Sequence, residues 1–355
     1  MNKQLYTFAK EVLLSLIKTP SISGSETETA NMLQQILQEH NIPSERVKNN
    51  VIARSFHWSS QKPTILLNSH HDTVKPVSGW QTDPFEPICE QGKITGLGSN
   101  DAGASLVALL SCFIHYYNQD NLPYNILFVA SAEEEISGKQ GIEMLVPQLG
   151  KIDVAIVGEP TSMNMAIAEK GLLVLDCVAK GIAGHAAHST GENAIYKAML
   201  DIEWFKSFDF PKKSSVLGPV KMTVTGIQAG KQHNVVPDNC SFMVDVRTNE
   251  CYTNEEVFDI ISKAVQCEVA ARSFRLNSSH IPIEHPLVQR GISLGCTTYG
   301  SPTLSDQAFL KHIPSVKIGP GDTHRSHTAQ EYILETELYQ GIDVYIALLD
   351  SLYIS

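Results

Sequence analysis

Apolar positions along the first part of the chain follow two alternating rhythms. Residues 8–17 keep helical spacing, with Val12, Leu13, Leu16 and Ile17 on one stripe. Ser25-Glu26-Thr27-Glu28 then opens a second helix through Met32, Leu33, Ile36 and Leu37, with acidic groups in its first turn. Residues 64–67, 125–130 and 154–157 are short, continuous apolar runs, the pattern of strands buried on both faces of a parallel sheet. Between the first two runs, the turn Gly96-Leu97-Gly98-Ser99-Asn100-Asp101 leads into a strongly apolar helix over 106–117. Alternating strands and helices predict an α/β fold with a mainly parallel sheet.

The rhythm changes near residue 165. Strands are expected at 172–179, 220–225, 241–247 and 272–276, and helices at 193–208 and 254–269. The order β-α-β-β-α-β is the ferredoxin-like arrangement, so an α+β domain is inserted into the first one. The α/β pattern resumes with a 303–310 segment, a strand at 315–318, a Gly319-Pro320-Gly321 turn and a closing helix over 335–349. The predicted domains are therefore 1–164 with 277–355, and 165–276. No internal repeat or low-complexity tract interrupts this pattern.

Two domains agree with a chain of 355 residues, which exceeds the usual single domain. The formal net charge of -11 argues against a nucleic-acid-binding surface, which would carry a basic patch. The N-terminal segment lacks a signal-peptide pattern, and no uncharged apolar stretch reaches the length of a membrane span. Seven scattered cysteines without a CxxC pair read as reduced thiols, so a cytoplasmic protein is expected.

The candidate chemistry sits where the apolar runs stop. His70, Asp72, Asp101, the Glu133-Glu134-Glu135 run, Glu159 and His327 all stand just past a strand or at a helix start. Ligands of open α/β sheets bind outside the carboxyl ends of the strands. In extended backbone His70 and Asp72 share one side of the chain, so an imidazole could bind a metal while the carboxylate supports its other nitrogen. Singly, each group has a plainer reading. Asp101 could cap its helix, the glutamate run could be a solvated turn, and Glu159 could merely end a strand. Brought to one crevice, the acidic groups would repel, and a cation resolves that. Two histidines with several carboxylates suit zinc or a similar divalent ion, and the surplus of carboxylates suggests two metals.

These segments also resemble a known family. Ser69-His70-His71-Asp72-Thr73-Val74, Gly98-Ser99-Asn100-Asp101, Ala132-Glu133-Glu134-Glu135, Gly158-Glu159-Pro160-Thr161-Ser162 and His327-Thr328-Ala329-Gln330-Glu331-Tyr332 are similar, in order, to motifs of the dinuclear-zinc deacylase and aminopeptidase family. That family holds acetylornithine deacetylase, succinyl-diaminopimelate desuccinylase and aminoacylase. The resemblance implies a zinc-hydrolase catalytic domain with an inserted lid and dimerisation domain. It implies that Asp101 bridges two zinc ions, His70 and Glu159 completing one and Glu135 and His327 the other, with cobalt or manganese as substitutes for zinc. It implies Glu134 as general base and Asp72 as support for His70. A one-residue shift within the glutamate run stays open, and His324 competes with His327.

Inside the inserted domain, Gly184-His185-Ala186-Ala187-His188 resembles a lid motif whose first histidine reaches the partner subunit's active site in dimers. Asn234 and Arg247 match the lid's substrate-binding positions, and a guanidinium suits bidentate capture of a substrate carboxylate. Surface-loop or ion-pair roles remain the plainer alternatives for His185 and Arg247. Two departures stand out. Ala102-Gly103-Ala104 follows Asp101 where many members have a lysine and then a glycine, and His71 stands where threonine is frequent.

The expected activity is removal of an acetyl or succinyl group from an ornithine- or citrulline-type amino acid, in arginine biosynthesis. Alternatives on the same fold are succinyl-diaminopimelate, N-acetyl-lysine or small-peptide hydrolysis. The expected partners are a small N-acyl amino acid and a second copy of the chain, with neither nucleic acid nor membrane. A non-catalytic binding protein would have lost the base or a ligand, and neither is lost. No Gly-x-Ser-x-Gly elbow supports a serine hydrolase.

Overall fold

Strand formation begins with an antiparallel hairpin and is then driven by burial. In the computed structural model, which describes residues 3–188 and 190–354, helix α1 (Lys3–Lys18) buries one stripe that includes Val12, Leu13, Leu16 and Ile17. Helix α2 (Thr27–Glu39) follows, then a short antiparallel pair, β1 (Ser44–Val47) and β2 (Asn50–Arg54), which the apolar pattern does not announce. Strand β3 (Thr64–His70) is buried at every position. Its Ile65, Leu66 and Leu67 are fully enclosed, each stabilising the fold by roughly 1.5–3 kcal/mol. Strand β4 (Lys93–Thr95) precedes the Gly96–Asp101 turn, and α3 (Ala104–Tyr116) runs almost wholly buried beneath the sheet. Strands β5 (Asn125–Ser131) and β6 (Val154–Val157) are again buried throughout.

The contacts divide the chain into two compact units. One holds the residues through Ile167, with His280–Tyr299 and the residues from Ser305 onward. The other holds Ala168–Ser279 and Gly300–Leu304. Gly300–Leu304 lies in the stretch that the linear pattern leaves with the first domain. The Lys170 N–H donating to the Ser301 carbonyl at 3.0 Å is one tie that draws it to the second unit. The outer limits 1 and 355 of the expected catalytic domain lie outside the described residues.

The second unit contains β7 (Gly171–Lys180), α4 (Ala194–Ser207), β8 (Lys221–Ala229), β9 (Asn239–Thr248), α5 (Asn254–Ala264) and β10 (Glu268–Ala271). Its sheet order is β8-β9-β7-β10, all antiparallel, the ferredoxin-like topology. Helix α5 opens on a Thr253–Glu256 capping box. It ends at Ala264, not at 269, and the last strand precedes the expected 272–276. The carboxylate of Asp201 takes the N–H groups of Gln266 and Cys267 at 3.0 and 2.9 Å, which pulls the chain out of the helix.

Back in the first unit, β11 (Ser315–Lys317) completes the main sheet, β12 (Tyr332–Leu334) pairs with β4, and α6 (Glu335–Leu349) closes the chain. The main sheet runs β1-β2-β5-β3-β6-β11, then Met165–Glu169. Strands β5, β3, β6 and β11 are mutually parallel. Their carboxyl ends therefore emerge at one edge, which positions everything that follows. No helix among the described residues is long and apolar enough to cross a membrane.

Candidate metal centre

His70, the last residue of β3, is 1% exposed. Its Nδ1 donates to the main-chain carbonyl of Asp72 at 3.0 Å, with the Asp72 carboxylate at 3.5 Å. The nearer support for the ring is thus the backbone oxygen. Nε2 is then left facing carboxylate oxygens only: Asp101 Oδ1 at 3.3 Å, Glu159 Oε1 at 3.7 Å and Glu134 Oε2 at 3.9 Å. Burial disfavours a charged imidazole here, yet Asp101, Asp72, Glu134 and Glu159 raise its proton affinity well above the ordinary value. In effect the pocket attracts a cation. The Asp72 carboxylate turns instead to the next loop. It accepts the N–H groups of Glu134 and Glu135 at 3.0 and 3.2 Å and the Ser23 hydroxyl at 2.7 Å.

That loop follows β5. Glu133 adopts a left-handed backbone with φ +56° and directs its carboxylate to Gln140, accepting from the backbone N–H and Nε2 at 3.0 and 3.2 Å. Its own N–H donates to the fully buried carboxylate of Glu26 at 3.3 Å. Of the three glutamates, only the following two are directed at the crevice. Glu135 Oε2 lies 2.9 Å from His327 Nε2. Glu134 has its proton affinity pushed well up by burial and by the charges of Glu159, Asp306 and Glu135, against the pull of His70.

Asp101 sits in a tight turn whose Gly98 has φ +75°; a Cβ there would come within 2.7 Å of Thr73 Cγ2. Behind the turn, the buried carboxylate of Glu331 accepts the N–H groups of Gly98, Asn100 and Asp101 at 3.2, 2.8 and 2.9 Å. Burial and the charge of Asp101 push Glu331 up to about 8. Glu159 follows β6 and is pushed up to about 8, first by burial and then by Asp101 and Glu135, with His70 and Lys317 opposing. His327, with φ +57°, stands 3.5 Å from Asp101 Oδ2 and is pushed up to about 9, chiefly by its hydrogen bond to Glu135.

Two donor clusters result: His70, Asp101 and Glu159, and Asp101, Glu135 and His327, the donor atoms of each lying within 4.8 Å of one another. Asp101 belongs to both, through a different oxygen in each. Ligand atoms about 2.0–2.1 Å from a tetrahedral ion stand about 3.3 Å apart, close to the spacings from Asp101 to His70 and to His327. Imidazole nitrogens with carboxylate oxygens are the donors of zinc and neighbouring divalent ions. The residues present therefore fit a pair of metal ions.

Other groups belong to neither donor cluster. His324 is exposed and bonds Asp322 at 2.8 Å, outside both clusters. His71 is buried, with Nδ1 2.8 Å from Thr29 Oγ1 and Nε2 donating to the Asn49 carbonyl at 2.8 Å. It ties the end of β3 to α2 rather than joining the site. Asp306 is buried and accepts from Asn68 at 3.0 Å and from Ser131 at 2.5 Å. In the second unit, His185 pairs with Val235 in a two-residue ladder, and the Ala186 N–H donates to the Asn234 carbonyl at 2.9 Å, so His185 and Asn234 are neighbours. Arg247 forms a bidentate pair with Asp245 at 2.9 and 3.1 Å. Glu331 and Glu26 were not singled out by sequence reasoning; the Glu331-Tyr332 pair beside His327 was the one available signal.

A probable carboxypeptidase of Paracoccidioides lutzii is 27% identical over 96% of this chain and 85% of its own length. Succinyl-diaminopimelate desuccinylase 2 of a Ruegeria species is 23% identical over 92% and 91%. Among solved structures, an aminopeptidase from Bacillus cereus has a TM-score of 0.75 at 18% identity, covering 97% of this chain and 98% of that one. A dinuclear metal binding peptidase of the M20 family from Bacillus subtilis has a TM-score of 0.74 at 18% identity, covering 98% of both. The sequence profile of peptidase family M20/M25/M40 matches residues 66–351, a span from β3 to beyond α6. The chain belongs to that family and is a metal-dependent hydrolase acting on amide bonds.

Proposed function

We propose that the chain is a two-metal hydrolase that removes the acyl group from a small N-acyl amino acid. Asp101 would be shared by both ions, with His70 and Glu159 completing one and Glu135 and His327 the other. The observation that carries this reading is the division of Asp101, Oδ1 toward His70 and Oδ2 toward His327. Zinc suits the donors, and cobalt or manganese would substitute. Bound there, the ions would supply a water acidic enough to attack at neutral pH and would polarise the scissile carbonyl.

Glu134 belongs to neither cluster and lies beside the first, 3.9 Å from His70 Nε2. Its raised proton affinity suits a general base that takes the proton of the attacking water and returns it to the leaving amine nitrogen. Asp72 would hold that base and the His70 ring together. Arg247 would exchange Asp245 for the substrate's α-carboxylate, with Asn234 as a second contact.

The favoured substrates are acetyl or succinyl derivatives of ornithine or citrulline, hydrolysed in the cytoplasm within arginine biosynthesis. All seven cysteines are free, in keeping with a reducing compartment. The names of the relatives favour a second reading, desuccinylation of succinyl-diaminopimelate or release of a C-terminal amino acid. An amine-release assay over acetyl and succinyl derivatives of ornithine, citrulline, lysine and diaminopimelate, plus dipeptides, separates them. Turnover of dipeptides alone would discard deacylation.

A homodimer through the second unit is part of the proposal. Tyr196, Met199 and Leu200 on α4 are largely exposed, and β8 is an edge strand carrying the exposed Ile227. Unpaired strand edges and apolar helix faces invite a second copy. His185 would then serve the neighbouring subunit's site. A monomer in sedimentation with full activity would remove that role.

A further inference from the structure

We propose that Glu331 is the positioning residue for Asp101, its carboxylate gathering the N–H groups of Gly98, Asn100 and Asp101 and so fixing where the Asp101 side chain stands between the two donor clusters. The proposal rests on the reading of Asp101 as the shared ligand.

Glu331 is 1% exposed and in neither cluster; it approaches from behind the turn. Its main chain is fixed first. The Gly96 N–H donates to the Glu331 carbonyl at 3.0 Å, and the next residue, Tyr332, pairs with Thr95. The side chain then reaches under the turn, Oε1 receiving Asn100 and Asp101 at 2.8 and 2.9 Å and Oε2 receiving Gly98 at 3.2 Å. Three converging N–H groups form a concavity that calls for a hydrogen-bond acceptor, and here the acceptor is built into the chain. The Asp101 N–H is attached one atom from the Cα that carries the ligand, so moving the acceptor moves the ligand. Asn100 is held from the other side, its Nδ2 donating to the Asp322 carbonyl at 3.0 Å and its Oδ1 accepting the Asp322 N–H at 3.1 Å. The turn is thus clamped between Glu331 and Asp322.

Glutamine cannot replace Glu331 fully. Its Oε1 can still accept Asn100 and Asp101, but its amide nitrogen would face the Gly98 N–H donor to donor. Alanine would abandon all three groups. The test uses the full chain loaded with zinc or with cobalt. Glu331→Ala should weaken zinc binding in chelator competition about 10–100-fold, shift the visible absorption of the cobalt form, and lower kcat with little change in KM. Glu331→Gln should fall between it and the parent. Asp201→Asn is the control, since Asp201 also accepts two backbone N–H groups, those of Gln266 and Cys267. It should lower Tm while leaving zinc affinity and the cobalt spectrum alone. Parental zinc affinity and cobalt spectrum in the Glu331 variants would overturn the proposal, whatever their Tm. If Glu331→Ala does not fold, Glu331→Gln decides alone. Asp101→Asn separates the two levels: if it keeps its metal, the site reading fails; if it loses metal while the Glu331 variants do not, only the positioning role fails.

Discussion

Asp72 Oδ1 accepts the main-chain N–H of Glu134 at 3.0 Å, so a residue two positions past His70 fixes the loop that carries the proposed base. Its other oxygen does the same for Glu135 at 3.2 Å. The ring of His70 and the backbone of both glutamates are therefore referred to one residue, which is 1% exposed.

Replacing Asp72 by asparagine keeps the size but aims an amide donor at a backbone N–H. The expected cost is about 1–3 kcal/mol of stability for the buried group left unpaired, and about 10–100-fold in metal affinity or activity. Thermal unfolding of the metal-free protein and chelator competition read these separately. No change in either would discard the role of Asp72.

Glu134→Gln should retain both metal ions and lose about 10²–10⁴-fold in kcat, the range that general base catalysis supplies. Metal content by atomic absorption, beside the turnover assay, checks it. An active variant would hand the base to another group.

Metal binding should release protons. In the metal-free chain Glu159 is pushed up to about 8 and His327 up to about 9, so both hold a proton at pH 7 that a bound cation must displace. Affinity should accordingly rise with pH above 7 and level off above about 9. Calorimetry in two buffers of different ionisation enthalpy measures the release; equal heats at pH 7 would contradict it.

Gly98→Ala should destabilise by roughly 1–2 kcal/mol or more, because φ is +75° and the added Cβ would meet Thr73 Cγ2 at 2.7 Å. The same change displaces the Asp101 turn, so metal content should fall with it. Denaturant midpoints and metal analysis should move together.

Much of the site was legible in the sequence, for a physical reason. Parallel strands deliver their carboxyl ends to one edge, and the sequence shows where each apolar run stops, at His70, after Ser131 and before Glu159. What was hidden works through main-chain groups. Glu331 meets the N–H of Asn100, 231 positions away, and a backbone N–H leaves no mark in residue type. Glu26 and the Glu133 turn are the same case. The end of α5 was missed because Asp201, some sixty residues earlier, captures the N–H groups beyond it. The β1–β2 pair escaped because Ser44-Glu45-Arg46-Val47 carries little apolar signal.

In the proposed assignment, the two oxygens of Asp101 make the two sites one thermodynamic unit. The first ion to arrive would settle a carboxylate that the second must also use. Whatever factor the first confers on the affinity of the second, the second confers on the first. Loss of either ion would then be felt at the other site, by an equal factor in both directions.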